Sequence, residues 1–356
     1  MKTIAEEAVM IRDADQSDNE GLLSLAASSG MRGKFSFRVE RKPDFFRLLQ
    51  RKGNYLVKVA VAEGRIVGSV SVVETNVFIG GKSCKAYYAC DFRVHPDYRG
   101  SGLGVRLVEE VYRQSVSQGA DLFFGVMLLG NREVASYLSG KLRTVPPIVA
   151  GSVFRVFQII PSATEIKNSK YRIEAVDDFR YELFSEEMKL YGFAPNYPND
   201  IYKDTRIWCV TENGVVVAAI AIAASEELKQ EVLVDVPGYI KPLMKLAEQV
   251  KWTNSRMNLP RLNGNIRVLY IRSFYIRDEH QEALRILIAH ARKQAYKQQC
   301  HFLTVGIDER SKYLRFFSSF PKFTLKSGLY FCNNGMSPDV FDALRQGVSF
   351  MDYSLV

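Results

Sequence analysis

The sequence has few of the residues that build metal centres or disulfide frameworks. Its 356 residues include five cysteines and four histidines, and these are scattered without a Cys-x-x-Cys pair or a mixed Cys/His cluster. The odd number of cysteines and their irregular spacing predict reduced thiols, as in a cytoplasmic protein, rather than disulfide bonds. We therefore expect no bound metal.

Long hydrophobic stretches are also missing. The longest apolar run, Val215–Ala224, is too short to cross a bilayer, for which about 20 residues are needed. The first residues contain acids and no apolar core, so they do not resemble a signal peptide. These absences predict a protein without a membrane partner, and together with the thiols they predict a cytoplasmic location.

The net charge of +9 arises without any block of basic residues. Lys and Arg are spread along the chain, and no nucleic-acid-binding motif is present. The simplest interpretation is a diffuse basic surface that also attracts a polyphosphate cofactor. No specific nucleic-acid partner is expected, although nucleic-acid binding by this surface stays an alternative.

The most informative motif is a basic, glycine-rich turn between a strand and a helix. Arg99–Gly104 follows a predicted strand that ends at Val94 and opens a predicted helix that ends at Gln118. The first N–H groups of a helix lack intrahelical partners, and the helix dipole favours an anion there. Glycine lets the backbone approach that anion, and Arg99 adds a guanidinium suited to phosphate. The turn therefore predicts a phosphate site, although glycines also serve in tight strand–helix connections.

The turn is neither a Walker loop nor a dinucleotide fingerprint, because no Gly-Lys-Ser/Thr follows and the G-x-G-x-x-G spacing fails. It resembles the acyl-CoA signature of the GNAT superfamily of N-acetyltransferases, Arg/Gln-x-x-Gly-x-Gly/Ala, which Arg99, Gly102 and Gly104 match. The resemblance implies acetyl-CoA as the cofactor and transfer of its acetyl group to an amine. The cofactor-binding residues that it implies are Phe92, Arg93, Val94, Arg99, Gly100, Ser101, Gly102, Leu103, Gly104 and Asn131.

The predicted elements give a mixed α/β fold, in the order β-α-α-β-β-β-α-β-α-β over residues 8–160. This order matches what the resemblance implies for one complete GNAT domain. The second half repeats the pattern, since Gly214 lies in a predicted hairpin like that of Gly64, an offset of 150 (214 − 64). Such a period indicates duplication. We therefore predict two GNAT-like domains, 1–160 and 161–356, joined by a polar linker at 161–170.

The second half lacks the phosphate turn. At the corresponding position Asp278, Glu279 and Glu282 begin the helix, and no glycine is present. Acids at this position stabilise the helix dipole themselves and repel a pyrophosphate. We therefore expect a degenerate copy that does not bind CoA at the usual place. Its segment 227–264 has no counterpart in the first half and includes a predicted amphipathic helix over 240–250.

The resemblance leaves the catalytic groups open. In the family a Tyr seven residues past an Asn is often the general acid, but here Leu138 holds that position and Tyr137 lies one residue earlier, about 100° around a helix. Tyr137 is therefore a candidate acid, or an aromatic of the apolar helix face. Tyr88 occupies the place of the usual basic carboxylate, which leaves Asp91 and Glu74 as available carboxylates. Asp91 is the candidate base, with a structural hydrogen bond as its other interpretation.

The acceptor is expected to be an amine of a small molecule or peptide, and the oligomeric state is open. Arginines and phenylalanines are interspersed in one segment of the first half. This cluster either binds an acceptor that carries a carboxylate or phosphate, or forms a solvated surface over buried rings. Its members are Arg32, Phe35, Phe37, Arg38, Arg41, Phe45, Phe46 and Arg47. Because the usual acid and base are missing, the alternative to an enzyme is a non-catalytic acyl-CoA-binding or regulatory protein. The C-terminal segment 350–356 is apolar enough to dock on the fold.

Overall fold

The computed structural model describes residues 9–28, 36–129, 142–166, 170–176, 180–236, 238, 241–242 and 260–356. The described helices are α1 Asn19–Ser28, α2 Arg47–Lys52, α3 Leu103–Ser117, α4 Glu182–Lys189, α5 Gln281–Lys297, α6 Leu314–Ser318 and α7 Pro338–Gln346. The described strands are β1 Met10–Asp13, β2 Ser36–Glu40, β3 Asn54–Ala62, β4 Arg65–Ile79, β5 Lys82–Val94, β6 Leu122–Leu128, β7 Ile148–Ile159, β8 Arg172–Val176, β9 Phe193–Pro195, β10 Arg206–Glu212, β11 Val215–Ala224, β12 Gln230–Asp235, β13 Asn265–Ile266, β14 Val268–Ile276, β15 Phe302–Asp308 and β16 Lys322–Asn333.

Most of these strands form one 13-stranded sheet, in the order β1-β3-β4-β5-β6-β16-β7-β15-β14-β11-β10-β8, with β9 paired to β4. The two edges of the sheet repeat the same order of strands. Counted inward, one edge has β1, β3, β4, β5 and β6, and the other has β8, β10, β11, β14 and β15. The last two strands of each set pair in parallel, β5 with β6 and β14 with β15. The predicted mixed α/β fold is confirmed, and the predicted internal repeat is visible in the strand order.

The two halves exchange their last strands. β16 lies between β6 and β7, so that Phe331 pairs with Phe124 on one side and with Val149 on the other. The sequence predicts a strand only over 329–331. The observed strand has 12 residues, since ladders on both sides satisfy its backbone. The domain boundary near residue 160 stays a prediction, because strands of both halves share this sheet.

Local patterns predict some boundaries well and others poorly. β6 covers the predicted residues 122–128, and α3 differs from its prediction by one residue at each end. The sequence predicts strands over 66–73 and 85–94. Both strands are longer in the structure, because β4 and β5 continue to a turn at Gly80 and Gly81. Both glycines have a positive φ, 54° and 80°, which a two-residue hairpin turn requires.

A second sheet links the halves. Its three strands lie in the order β13-β12-β2, and Val39 of β2 pairs with Glu231 of β12. A first-half strand therefore pairs with the segment 227–264, which has no repeat counterpart. The predicted helices 131–142 and 240–250 lie outside the described residues, apart from positions 142, 241 and 242.

The C-terminal segment is buried where the halves meet. Its residues from Phe350 to Leu355 are all buried. Asp352 forms an ion pair with Arg272 of β14 at 3.0 Å. The N–H of Phe350 also donates to the C=O of Phe193 at 2.8 Å. The predicted docking of this segment is confirmed.

Candidate functional site

The parallel strands β5 and β6 pair briefly and then separate. Tyr87 and Tyr88 are the residues of β5 that lie opposite β6. Beyond them β5 continues to Val94 and β6 to Leu128 without pairing, so the two strands enclose a gap. Backbone groups that face such a gap lack a ladder partner and are available to a ligand.

The end of β5 turns its backbone toward this gap. His95 donates its N–H to the C=O of Val67 at 2.8 Å. Because N–H and C=O groups alternate in direction along an antiparallel strand, the backbone of Val94 points away from β4 and toward β6. Its C=O accepts a hydrogen bond from Nε of Arg99 at 3.2 Å, and no described side chain accepts from its N–H. Val94 therefore presents a backbone donor to the gap.

A bulge redirects β5 just before this donor. The register between β4 and β5 shifts between Ser69 and Ser71, and Asp91 has a positive φ of 50°. The hydroxyl of Ser69 donates to the C=O of Asp91 at 3.2 Å and so holds the bulge. A non-glycine residue with this φ is uncommon, and such residues cluster at functional sites. The bulge brings the predicted site residues Asp91, Phe92 and Arg93 to the edge of the gap.

The glycine-rich turn leads from β5 to the N-terminus of α3. Gly100 and Gly102 have φ angles of 79° and 86°, which glycine adopts without strain. α3 begins at Leu103 and has no acidic residue in its first turn, so no carboxylate there compensates the positive end of its dipole. Arg99, Gly100, Ser101 and Gly102 are exposed. The turn thus has the geometry that a phosphate site requires, and its role in binding stays a prediction.

A cavity of about 430 Å³ opens at the gap. Phe123 and Phe124 are neighbours on β6 and belong to hydrophobic cores on opposite faces of the sheet, and both line the cavity. The cavity therefore passes through the sheet where β5 and β6 separate. We call the part beside α3 the apolar end; it is lined by Val108, Val111, Tyr112, Phe123, Ile148 and Cys332.

The other part of the cavity carries charged side chains. We call it the polar end; it is lined by Arg41, Asp91, Lys229, Glu231 and Tyr270. Arg41 and Asp91 form an ion pair at 2.7 Å, and each side chain is 4% exposed. Nε and Nη1 of Arg41 are buried and have no hydrogen-bond partner within the described ranges. Arg41 is therefore able to donate to a bound ligand.

Lys229 and Glu231 reach the polar end from the start of β12. The ammonium of Lys229 donates to the main-chain oxygens of Tyr353 at 2.9 Å and of Val356 at 2.8 Å. Burial lowers the pKa of Lys229 to about 8. The hydroxyl of Tyr270 donates to the carboxylate of Glu231. Sequence reasoning missed both charged residues, and the available signal was their spacing of two, which places them on one face of a strand.

The candidate bases differ in their surroundings. Burial by itself raises the pKa of Asp91, but the charges of Arg41 and Arg93 outweigh it and hold that pKa below its usual value. Burial raises the pKa of Tyr88 well above its usual value. Glu74 does not line the cavity. The geometry favours Asp91 as the partner that holds Arg41, and its catalytic role stays a prediction.

The arginine–phenylalanine cluster does not form one surface. Phe45 and Phe46 are buried in the core, and Arg38 and Arg47 form ion pairs with glutamates. Arg41 and Phe37 line the cavity. The other predicted residues, in this cluster and near the proposed acid, lie outside the described residues: Arg32, Phe35, Asn131, Tyr137 and Leu138.

The second half contains an equivalent gap between β14 and β15. These strands pair in parallel over Val268–Tyr270 and then separate. Arg277 donates its N–H to the C=O of Val217 at 2.9 Å, a contact equivalent to that of His95 in the first half. The N–H of Ile276 therefore faces the second gap, as the N–H of Val94 faces the first.

Glu187 of α4 occupies this second gap. Its carboxylate accepts the N–H of Ile276 at 3.4 Å and the hydroxyl of Tyr313 at 3.0 Å. Burial raises the pKa of Glu187 to about 7. At the start of the following helix, Asp278 forms an ion pair with Lys312 at 2.5 Å. The backbone donor that a ligand would meet is thus used within the protein itself.

The part of the chain that the structure describes holds no group of three or more His, Cys, Asp or Glu side chains able to bind a metal ion. Its described helices also include none that is long and apolar enough to span a bilayer.

Known proteins share this fold. Residues 24–138 match the sequence model of the acetyltransferase (GNAT) family. The crystal structure of Saccharomyces cerevisiae N-myristoyltransferase with bound myristoyl-CoA gives a TM-score of 0.61 at 12% identity, over 94% of this chain and 86% of that one. A GCN5-related N-acetyltransferase from Anabaena variabilis gives a TM-score of 0.51 at 12% identity, over 90% of this chain and 72% of that one. No curated protein matches the sequence.

The family match covers the elements that build the first gap. It runs from α1 through β6 and includes the bulge of β5, the turn 99–104 and α3. The two solved structures, at their low identity, support the fold over nearly the whole chain. The resemblance drawn from Arg99–Gly104 is therefore confirmed, because residues 24–138 match the acetyltransferase (GNAT) family.

Proposed function

We propose that this protein is an acyl-CoA-dependent N-acyltransferase. The observation that carries the proposal is the open backbone donor of Val94, next to a glycine-rich helix start in a GNAT-family domain. The pyrophosphate of CoA would lie on the turn 99–104, where the helix dipole and exposed N–H groups favour an anion. Its pantetheine arm would follow Phe92, Arg93 and Val94 along the gap toward the cavity.

In the proposed reaction the acceptor amine attacks the thioester carbonyl, and the new C–N bond replaces the C–S bond. The amine loses a proton and the departing thiolate takes one up, so a base and an acid are needed. Asp91 and Glu231 are the carboxylates of the polar end. We assign the base to Glu231, because the charge of Arg41 lowers the pKa of Asp91 and makes that carboxylate a weaker proton acceptor. Tyr137 stays the candidate acid.

Substitution at the two carboxylates tests this assignment. Glu231→Gln is expected to lower kcat by about a hundredfold, the usual contribution of a general base, without weakening acyl-CoA binding. Asp91→Asn is expected to act through Arg41 and to raise KM for the acceptor more than it lowers kcat. The opposite pattern would return the role of base to Asp91.

Acetyl-CoA is the donor that the motif predicts, and the apolar end of the cavity favours a second candidate, a longer acyl chain. A methylene group takes up about the volume of a water molecule, roughly 30 Å³, so the cavity of about 430 Å³ exceeds the needs of an acetyl group. The matched yeast enzyme carries myristoyl-CoA.

Rates with acetyl-, octanoyl- and myristoyl-CoA distinguish the two donors. Val111→Phe narrows the apolar end and should reduce kcat/KM for the longer donors selectively.

Calorimetric titration with CoA tests the proposed site, with Gly102→Val and Gly119→Val as a matched pair. Both glycines have a φ of 86°, they flank α3, and an added side chain would meet open space at either position. Each substitution therefore introduces a similar backbone strain, about 1–2 kcal/mol. Gly102→Val should weaken CoA binding by about tenfold or more, because it obstructs the phosphates, whereas Gly119→Val should not. Equal affinities would contradict this placement of CoA.

Release of free thiol in the presence of amines distinguishes a transferase from a non-catalytic acyl-CoA-binding protein. The transferase produces thiol and acylated amine in equal amounts. A protein that binds acyl-CoA but releases no thiol with any amine of a broad panel would support the alternative.

A further inference from the structure

The polar end of the cavity is surrounded by more buried cations than carboxylates. Among the described side chains, the cations there are Arg41, Lys52 and Lys229, and the carboxylates are Asp91 and Glu231. A buried charge without a counterion is costly. An anionic ligand at this end would therefore be favoured.

Arg41 has unused hydrogen-bonding capacity. Its Nη2 donates to both carboxylate oxygens of Asp91, at 2.7 and 3.0 Å. Nε and Nη1 are buried and find no acceptor among the described residues. A buried donor without an acceptor is unfavourable, and a guanidinium stays charged at all relevant pH values. Arg41 can therefore donate hydrogen bonds to a second anion beside Asp91.

Two lysines add to this positive field. Nζ of Lys52 is buried, has no hydrogen-bond acceptor in the described chain, and lies 4.6 Å from the ring centroid of Tyr88. Lys229 is 4% exposed and donates to main-chain oxygens. Burial lowers the pKa of both lysines, so both amines would gain from a nearby anion.

We infer that the polar end binds a carboxylate of the acceptor, and that the acceptor is a small amine of the amino-acid class. This inference rests on the proposed acyl transfer. Arg41 contacts Asp91 on the bulge of β5, at the edge of the gap where the thioester is placed. In an α-amino acid the amine nitrogen is two bonds from the carboxylate carbon. When Arg41 binds the carboxylate, the amine therefore lies beside the acyl group. The positive charge of Lys229 stabilises the bound carboxylate, and Glu231 accepts the proton that the amine loses.

Pairs of acceptors that differ only in the carboxylate test the inference. Glycine, alanine and phenylalanine are compared with their carboxamides, with thiol release from the best acyl-CoA donor as the readout. We expect kcat/KM for each acid to exceed that of its amide by about tenfold or more, as for a hydrogen bond to a charged group. The amide has the less basic amine, which alone would favour the amide, so a preference for the acid reports recognition of the carboxylate.

Two arginine variants locate the recognition. Arg41→Gln is expected to remove the preference for acid over amide, whereas Arg47→Gln, which changes an exposed arginine paired with Glu227, should retain it. The preference is a ratio measured within one variant, so partial loss of folded protein cancels from it. Lys229→Gln should reduce the ratio by a smaller factor.

Equal kcat/KM for acids and amides in the wild-type protein, with thiol released by both, would overturn the inference and leave the proposed transferase intact. Faster acylation of peptide N-termini that lack a carboxylate near the amine would overturn it as well. A failure of every amine to release thiol would overturn the proposed function and this inference with it.

Discussion

The gap between β5 and β6 and the gap between β14 and β15 arise from the same arrangement of strands. They differ in whether a side chain of the protein binds the backbone N–H that faces the gap. In the first, the N–H of Val94 faces the gap, and a cavity of about 430 Å³ opens beside it, lined by Phe92 and Arg93. In the second, the N–H of Ile276 is bound by the carboxylate of Glu187 at 3.4 Å. A parallel strand pair that separates leaves a backbone donor exposed, and that donor has to be satisfied by a ligand or by the protein.

The helix starts beside the two gaps differ in the same way. α3 begins after Gly102 with no acid in its first turn, whereas Asp278 and Glu279 lie in the turn before α5 and Glu282 in its first turn. An acid there supplies the negative charge that the helix dipole favours, and a phosphate would have to displace it. Both differences between the halves therefore support the proposal of one acyl-CoA site, in the first half.

The largest effect is expected at a buried ion pair of the second half, which holds the fold and not the proposed site. Arg272 and Asp352 are 3% and 0% exposed in their side chains. Arg272→Met leaves a buried carboxylate alone and should lower the free energy of unfolding by about 3–5 kcal/mol. Urea denaturation measures this loss. The exposed pair of Arg285 with Glu282 is the control, since Arg285→Met should cost less than about 0.5 kcal/mol.

Opening the second gap should cost stability without creating a second site. Glu187→Ala removes the acceptor of Ile276 and Tyr313 and leaves a cavity, so we expect a loss of about 2–4 kcal/mol in the free energy of unfolding. Calorimetry should still give one CoA per chain with unchanged affinity. Glu186→Ala, at an exposed neighbour on α4, serves as the control. A second CoA bound to Glu187→Ala would mean that this carboxylate alone distinguishes the two gaps.

The filled gap should also make stability depend on pH. Burial raises the pKa of Glu187 from 4.5 to about 7, so the folded protein holds this proton more tightly than the unfolded chain does. The resulting stability is complete below about pH 4.5 and is lost as pH rises through 7, to the extent of about 3 kcal/mol. Denaturation of the wild-type protein and Glu187→Gln at pH 5 and pH 8 measures it. The variant should show the smaller change, and equal changes in both proteins would contradict a buried, proton-binding Glu187.

The smallest effect is expected at the exposed arginine of the turn. Arg99→Gln should weaken CoA binding about three- to tenfold at low ionic strength, and less at high salt, because an exposed charge is screened. Arg113→Gln, on the far part of α3 and 76% exposed, should leave the affinity unchanged. A loss that does not depend on salt would mean that Arg99 acts through its hydrogen bond to Val94 instead of its charge.

The sequence alone predicted the features that depend on neighbouring residues. The turn 99–104, the strand 122–128 and the repeat offset between Gly64 and Gly214 are written in short patterns, and the structure contains each of them. The Gly80–Gly81 hairpin was equally readable, because paired glycines favour a tight turn. Its omission was a missed local signal.

The rest depends on pairing between distant segments. The exchange of β7 and β16 between the halves leaves no local trace, since either partner would satisfy the same ladder. Glu231 enters the cavity because β12 pairs with β2, almost 200 residues earlier, and Glu187 fills the second gap because α4 packs against β14. Such contacts are set by the packing of the whole chain, so charge or hydrophobicity along the sequence could not identify them.

Hydrogen exchange of individual backbone amides, with and without CoA, tests the central claim most directly, because it observes both gaps in one molecule. We predict that the amide of Val94 exchanges readily in the free protein and is protected when CoA binds, while the amide of Ile276 is protected in both states. Protection of Ile276 that appears only with CoA, or a Val94 amide that CoA leaves unchanged, would contradict the assignment of one open and one filled gap.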